Sequence, residues 1–176
     1  MKEKTIKTSK ANLFSLLFNV VISVATMLIY YLLWGDLNLE VLKIHHYTDI
    51  FIFLIIVFSS VLVHELIHAF VFAYFSKGNF KSVKIGVLWS QLTPYAHCKE
   101  ALLVKHYKLA VIMPGIILGI VPIFSAILIE SLLLLSYGIF MMMAAAGDFM
   151  IFILLIKVPK DKKILDHKSE MGFYIL

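Results

Sequence analysis

The sequence predicts an all-α integral membrane protein: four transmembrane helices, with a short cytoplasmic-side β-hairpin between the second and third. Three observations carry this. First, 61% of the 176 residues are hydrophobic and the mean hydropathy is +0.94, whereas a soluble domain is about half apolar. A surplus of this size cannot be buried in one small core, so lipid must solvate much of it. Second, four stretches reach the roughly 20 apolar residues a bilayer crossing requires: 13–34, 50–75, 109–129 and 132–156. Third, the loop 76–108 contains "KSVKIGVLWS", in which Val83, Ile85, Val87 and Trp89 alternate with other residues at strand period.

The first span follows a basic segment carrying Lys2, Lys4, Lys7 and Lys10. Its apolar run exceeds the roughly 7–15 residues of a signal-peptide core, and no small-x-small cleavage site follows it closely. The expectation is a retained anchor. The third and fourth spans form one apolar run, 109–156, interrupted at Glu130 and Ser131. As a single helix it would be about 70 Å long at 1.5 Å per residue, against a hydrocarbon core of about 30 Å. It must turn, and Glu130 is the natural place, on the outer face. Pro114, Gly115, Gly119 and Pro122 can kink the third helix or tighten its packing. A second extended stretch, 92–98, supplies the other strand of the hairpin. The whole chain, 1–176, reads as one membrane domain ending in a cytoplasmic tail, 157–176.

All sixteen basic residues are lysines, and the formal net charge is +5. Four precede the first span, six lie between Lys77 and Lys108, and five lie from Lys157 onward, while the 35–49 loop has only Lys43 beside Asp36, Glu40 and Asp49. The positive-inside rule places both termini and the middle loop in the cytoplasm, which an even number of spans also demands. No basic patch is interleaved with base-contacting groups, so a nucleic-acid partner is not expected. The lone cysteine, Cys98, cannot form an intrachain disulfide and reads as a reduced thiol.

Within the second span stands "HELIH", His64 to His68. The spacing places His64 and His68 on one helical face, where both imidazoles can reach a single ion. Glu65 beside them can take a proton from metal-bound water and later return it. Ionisable groups in a span cost about 2.5–3.5 kcal/mol each and are functional by default. A catalytic zinc site needs a third protein ligand and keeps one position for water. The other strong ligand inside the spans is Asp148. His68 precedes Lys77 by nine residues and Asp148 precedes Lys157 by nine, so on helices of the same direction both lie about 13 Å below one surface. Ala144, Ala145, Ala146 and Gly147 allow close helix approach there. His45, His46, His106 and His167 fall in loops or tails and read as solvated. His97, Cys98 and Glu100 cluster in "YAHCKEAL", where they could line the site or serve the surface. The ligand set suits Zn2+ and also iron.

On these residues the chain resembles the site-2 protease class of intramembrane metalloproteases, which carry H-E-x-x-H in one span and an aspartate ligand in a later one. It is more similar still to a small bacterial family of zincin peptidases of unknown function, through "HELIHA", "YAHCKEALLVKHYKLAVIMPGIILGIVP" and "GDFMIFILLIKVPKDKKILDHKSEMGFYIL". The resemblance implies His64, His68 and Asp148 as zinc ligands, Glu65 as catalytic acid/base, and the hairpin as the place where an extended substrate pairs. It also implies a multi-pass protein of the bacterial cell membrane whose partners are the bilayer and a membrane-embedded or membrane-associated protein substrate. Site-2 proteases usually approach a Leu-Asp-Gly through asparagine and proline; here the order is Gly147-Asp148. The expected function is hydrolysis of a peptide bond near the cytoplasmic side by Glu-activated, zinc-bound water. Two alternatives stand beside it: a non-catalytic metal-binding scaffold or chaperone, and a small metal or proton transporter.

Overall fold

The computed structural model describes the chain except for residues 38, 44–45, 90–92 and 168–170. The protein is largely helical. Three helices are long and apolar enough to cross a membrane, Ser9–Trp34, Tyr47–Phe75 and Val104–Leu128, and a bent pair near the C-terminus makes four if it is one span.

Helix α1, Thr8–Trp34, ends where Gly35 takes a left-handed φ of 74° and returns its N–H to the Tyr31 carbonyl at 2.7 Å, a conformation glycine adopts without a Cβ penalty. Helix α2, Tyr47–Phe75, starts with a reciprocal capping box: the His46 N–H donates to Asp49 Oδ2 at 2.9 Å, and Asp49 also complements the positive helix end. His46 is therefore a helix cap. At 29 residues α2 is about 44 Å long, enough to cross the hydrocarbon and carry its last turns past it. Most side chains on α1 and on the first half of α2 are exposed apolar groups, Leu32 at 72% and Phe51 at 67% among them. Exposure on this scale fits lipid contact and not water.

The third span is continuous but not uniform. Helix α3, Val104–Pro114, passes into a π-helical turn, Gly115–Ile120, and on into α4, Val121–Leu128. The wide turn follows Pro114, which breaks the regular ladder because it has no N–H. The chain then reverses at Glu130, whose φ is 55°, the place the apolar run was expected to turn. Ser131 caps the returning helix by accepting from the Leu134 N–H at 3.3 Å.

The fourth span differs from the single helix expected over 132–156. It is two helices, α5 (Leu132–Ala144) and α6 (Ala146–Ile156), bent by 56°. Ala145 at the break has ψ of 3°, off the helical value, and the run of small residues around it supplies no bulk to brace a straight helix. As a consequence Asp148 stands in the first turn of α6, where the positive end of the helix favours a carboxylate. Close glycine contacts seat the third span on α5 and α6. A Cβ at Gly115 would lie 2.7 Å from the Phe149 ring and 3.2 Å from the Ala145 Cβ.

The expected hairpin forms between the second and third spans. Strands β2 (Val83–Leu88) and β3 (Thr93–Cys98) pair antiparallel, from Val83 opposite Cys98 to Leu88 opposite Thr93; Leu92, expected to open the second strand, lies outside the described residues. The all-α expectation needs a larger correction. A second, four-stranded antiparallel sheet, in the order β1-β6-β5-β4, joins the two ends of the chain: β1 is Lys2–Thr5, β4 Leu102–Leu103, β5 Lys163–Asp166 and β6 Gly172–Ile175. Thr5 pairs with Gly172, where a side chain would strike the Lys4 carbonyl oxygen. Phe173 and Ile164 are wholly buried and join Phe72, Tyr107 and Leu155 in one core. The tail is thus a folded component resting on α2, α3 and α6.

Candidate metal centre

Three side chains from two helices converge on one point. Helix α2 presents His64 and His68, and the bend at Ala145 presents Asp148 from α6. His64 Nε2 lies 3.0 Å from Asp148 Oδ2, His68 Nε2 lies 3.3 Å from the same oxygen, and the two Nε2 atoms are 3.2 Å apart. The imidazole rings meet edge to face at 4.8 Å between centroids. Both histidines are buried, at 6% and 7% exposure, while Asp148 keeps part of its side chain accessible.

The third span orients one of these histidines. His68 Nδ1 lies 2.8 Å from the Ala110 carbonyl oxygen. A carbonyl can only accept, so Nδ1 carries the proton and Nε2 of the neutral ring keeps its lone pair for the cluster. His64 Nδ1 is buried without a hydrogen-bond partner among the described residues.

This donor set fits a metal. Three lone-pair atoms at 3.0–3.3 Å repel one another unless a cation lies between them. One proton can bridge two of them, and a metal ion can bridge all three. A tetrahedral zinc with bonds of about 2.0–2.1 Å places its ligand atoms about 3.3 Å apart, close to all three separations. The cluster His64, His68 and Asp148 can therefore hold a metal ion. Two nitrogens and one oxygen suit zinc, and leave a position open for water or substrate.

Glu65, next to His64, points toward the hairpin, where the Ala96 N–H donates to its carboxylate. Strand β3 therefore passes directly over the motif. Deeper along α2, Ser60 and Tyr137 share a hydrogen bond at 3.1 Å that ties α2 to α5. From the other side α1 packs Phe18 against Phe149 at 5.0 Å, beside Asp148.

A family model described as "Putative zincin peptidase" matches residues 57–163, more than half of the chain. The chain belongs to this family. The matched region runs from the last two-thirds of α2 through the hairpin and both helices of the bent pair, so it contains all three members of the cluster. No curated protein and no solved structure matches the chain. Membership in this zincin peptidase family, together with the cluster, makes the protein metallopeptidase-like at the level of the family.

The remaining sequence candidates have other positions. His97 Nδ1 sits 2.9 Å from Asp166 Oδ2; Tyr107 donates its hydroxyl to Asp166 Oδ1 at 2.7 Å, and the Cys98 N–H reaches Oδ2 at 3.3 Å. Asp166 thus fastens the hairpin to the tail sheet and to α3. Cys98 is wholly buried, and burial pushes its thiol pKa up. Glu100 accepts from the Ser82 hydroxyl and the Lys77 and Gly78 N–H groups. These bonds, the Ser82 one first, hold its carboxyl below the usual range, and they clamp the turn after α2. His106 stacks on Phe75 at 4.1 Å, and His167 contacts Glu3 at 3.2 Å. His45 lies outside the described residues. The Ala110 carbonyl and Asp166 were invisible to sequence reading: a backbone atom leaves no residue signature, and Asp166 lies in what read as a solvated tail.

Proposed function

We propose that the protein is an intramembrane zinc metalloprotease that cleaves a membrane-embedded or membrane-associated protein near the cytoplasmic side. The observation that carries this reading is the convergence of His64, His68 and Asp148 at tetrahedral-edge spacing, with Glu65 adjacent. When bound, zinc supplies Lewis acidity, polarising the scissile carbonyl and lowering the pKa of a water toward about 7. His64, His68 and Asp148 hold it. Glu65 takes the proton from the attacking water and passes it to the leaving amide nitrogen.

The hairpin supplies the substrate platform. The Ala96 and Cys98 N–H groups point away from β2, toward Glu65 and Asp166, so this edge of β3 runs past the carboxylate. An extended substrate segment laid along it, in the strand-addition mode of peptide recognition, takes the Ala96 N–H over from Glu65, which frees that carboxylate and brings the segment's backbone beside His64, His68 and Asp148. Residues 1–176 act as one membrane domain with both termini in the cytoplasm. The pairing of β1 with β6 supports the two ends lying on one side, and the lysine distribution is what assigns that side to the cytoplasm.

The test is the metal content and proteolytic activity of the detergent-purified protein, with Glu65→Gln and Asp148→Ala alongside. Near-stoichiometric zinc is expected in wild type and Glu65→Gln but not in Asp148→Ala, with cleavage in wild type alone. Folded wild type that takes up no zinc when zinc is supplied overturns the reading. Zinc retention with full function in Glu65→Gln replaces it with a non-catalytic scaffold.

A further inference from the structure

In a regular helix the Ala110 carbonyl accepts the N–H of residue 114, four positions on. Residue 114 is Pro114, which has none. The next amide, that of Gly115, bonds to Ile112. Ala110 is wholly buried, so its carbonyl is withheld from water as well as from the helix ladder. The partner it does have is His68 Nδ1, at 2.8 Å and 42 residues away in sequence.

We propose that Pro114 is a positioning residue for the metal centre: the carbonyl it leaves unpaired on α3 receives the His68 Nδ1–H and fixes that ring. A proline in a helix interior ordinarily leaves an orphaned acceptor. Here that acceptor selects the tautomer in which Nε2 carries the lone pair, and it fixes the ring plane so that the lone pair points at Asp148 and His64. Outer hydrogen bonds to ligating histidines commonly set tautomer and orientation in this way. The same turn acts on the other ligand, because Gly115 packs against Phe149, the neighbour of Asp148 on α6, and against Ala145 at the break before that helix. Two consecutive residues of the third span therefore adjust both halves of the cluster without belonging to it. The role rests on the metal-centre reading given above.

The test compares two replacements with the same methyl side chain. Pro114→Ala restores an N–H that competes for the Ala110 carbonyl. Lactic acid at position 114, introduced as the α-hydroxy analogue of alanine, removes the ring but keeps the N–H absent. Zinc affinity is measured by chelator competition on full-length protein, and the His68 tautomer by 15N NMR on metal-free protein. Pro114→Ala is expected to bind zinc about ten- to a hundredfold more weakly and to lose the Nδ1-protonated tautomer, while the lactic acid protein matches wild type in both. Equal affinity and an unchanged tautomer in all three proteins overturn the proposal, as does equal weakening in both replacements, which would assign the effect to the ring. Wild type that binds no zinc refutes the metal reading by itself, and the tautomer comparison then still decides whether Pro114 controls the ring.

Discussion

Gly115→Ala tests whether the close approach of the third span to α6 sets the geometry of Asp148. The added Cβ would meet the Phe149 ring at 2.7 Å and the Ala145 Cβ at 3.2 Å. The ring must retreat by about 0.7 Å to restore ordinary contact. Rotating Phe149 relieves only the first clash, because the Ala145 Cβ is fixed to the backbone and α6 must move with it. Overpacking of this kind costs about 1–3 kcal/mol. Asp148 is the immediate neighbour of Phe149, whereas ligand distances in metal sites hold to within about 0.2 Å. If the strain falls on the cluster, zinc affinity drops by about tenfold for every 1.4 kcal/mol, so a ten- to hundredfold loss is expected. Chelator competition measures it, with the apparent Tm in detergent recorded in parallel. Gly35→Ala is the control: its φ of 74° strains any side chain, but nothing lies within 4 Å. It should cost about 1–2 kcal/mol of stability and leave zinc affinity unchanged. Wild-type affinity and Tm in Gly115→Ala would refute the reasoning.

Zinc at a hundredfold excess over its Kd should raise stability by about 2.7 kcal/mol, and Asp148→Ala should abolish the shift; an equal shift in both proteins would place the ion elsewhere. Phe173→Ala, at a wholly buried position, should cost about 3–5 kcal/mol and raise hydrogen exchange in β1, which pairs with β6; unchanged exchange there would detach the tail sheet from the core. Glu100, held below its usual pKa, stabilises the clamp fully above the unfolded carboxyl value and loses that contribution as pH falls through the lower folded value. Exchange at the Lys77 and Gly78 amides should therefore depart from its intrinsic pH dependence at acid pH, and Glu100→Gln should remove that departure. Cys98, buried with a raised thiol pKa, should react with maleimide only on unfolding; rapid labelling of native protein would contradict its burial.

The parts of the fold that sequence made legible are those whose signal is local. Apolar runs longer than a bilayer is thick, and a charge at Glu130 where one run had to turn, are written in consecutive residues. The metal cluster was legible for a related reason: two histidines at helical spacing and one intramembrane aspartate are costly in lipid, so few candidates compete for one ion, and equal distance from a lysine boundary put them at one depth. The tail sheet lacked any such signal. Its strands are four residues or fewer, and its β1–β6 pairing joins Lys2 to Ile175, across nearly the whole chain. The bend at Ala145 was hidden because alanine and glycine permit a break without demanding one.

Those two unannounced features explain how a charged ligand can be held in a mostly apolar protein. Burying a carboxylate is unfavourable unless charge or dipole compensates it. A straight helix over 132–156 would have put Asp148 in mid-helix, far from any free amide. The 56° bend instead makes it a first-turn residue, facing the positive end of α6 as well as two imidazoles. Such a bent pair needs restraint at both ends. The upstream half is held by the Ser60–Tyr137 bond and the glycine contacts. The downstream half is held where Leu155 and Val158 enter the core formed with Phe173 and Ile164. The tail sheet is on this account part of the machinery that fixes Asp148, and loosening it should reach the metal before it reaches the fold.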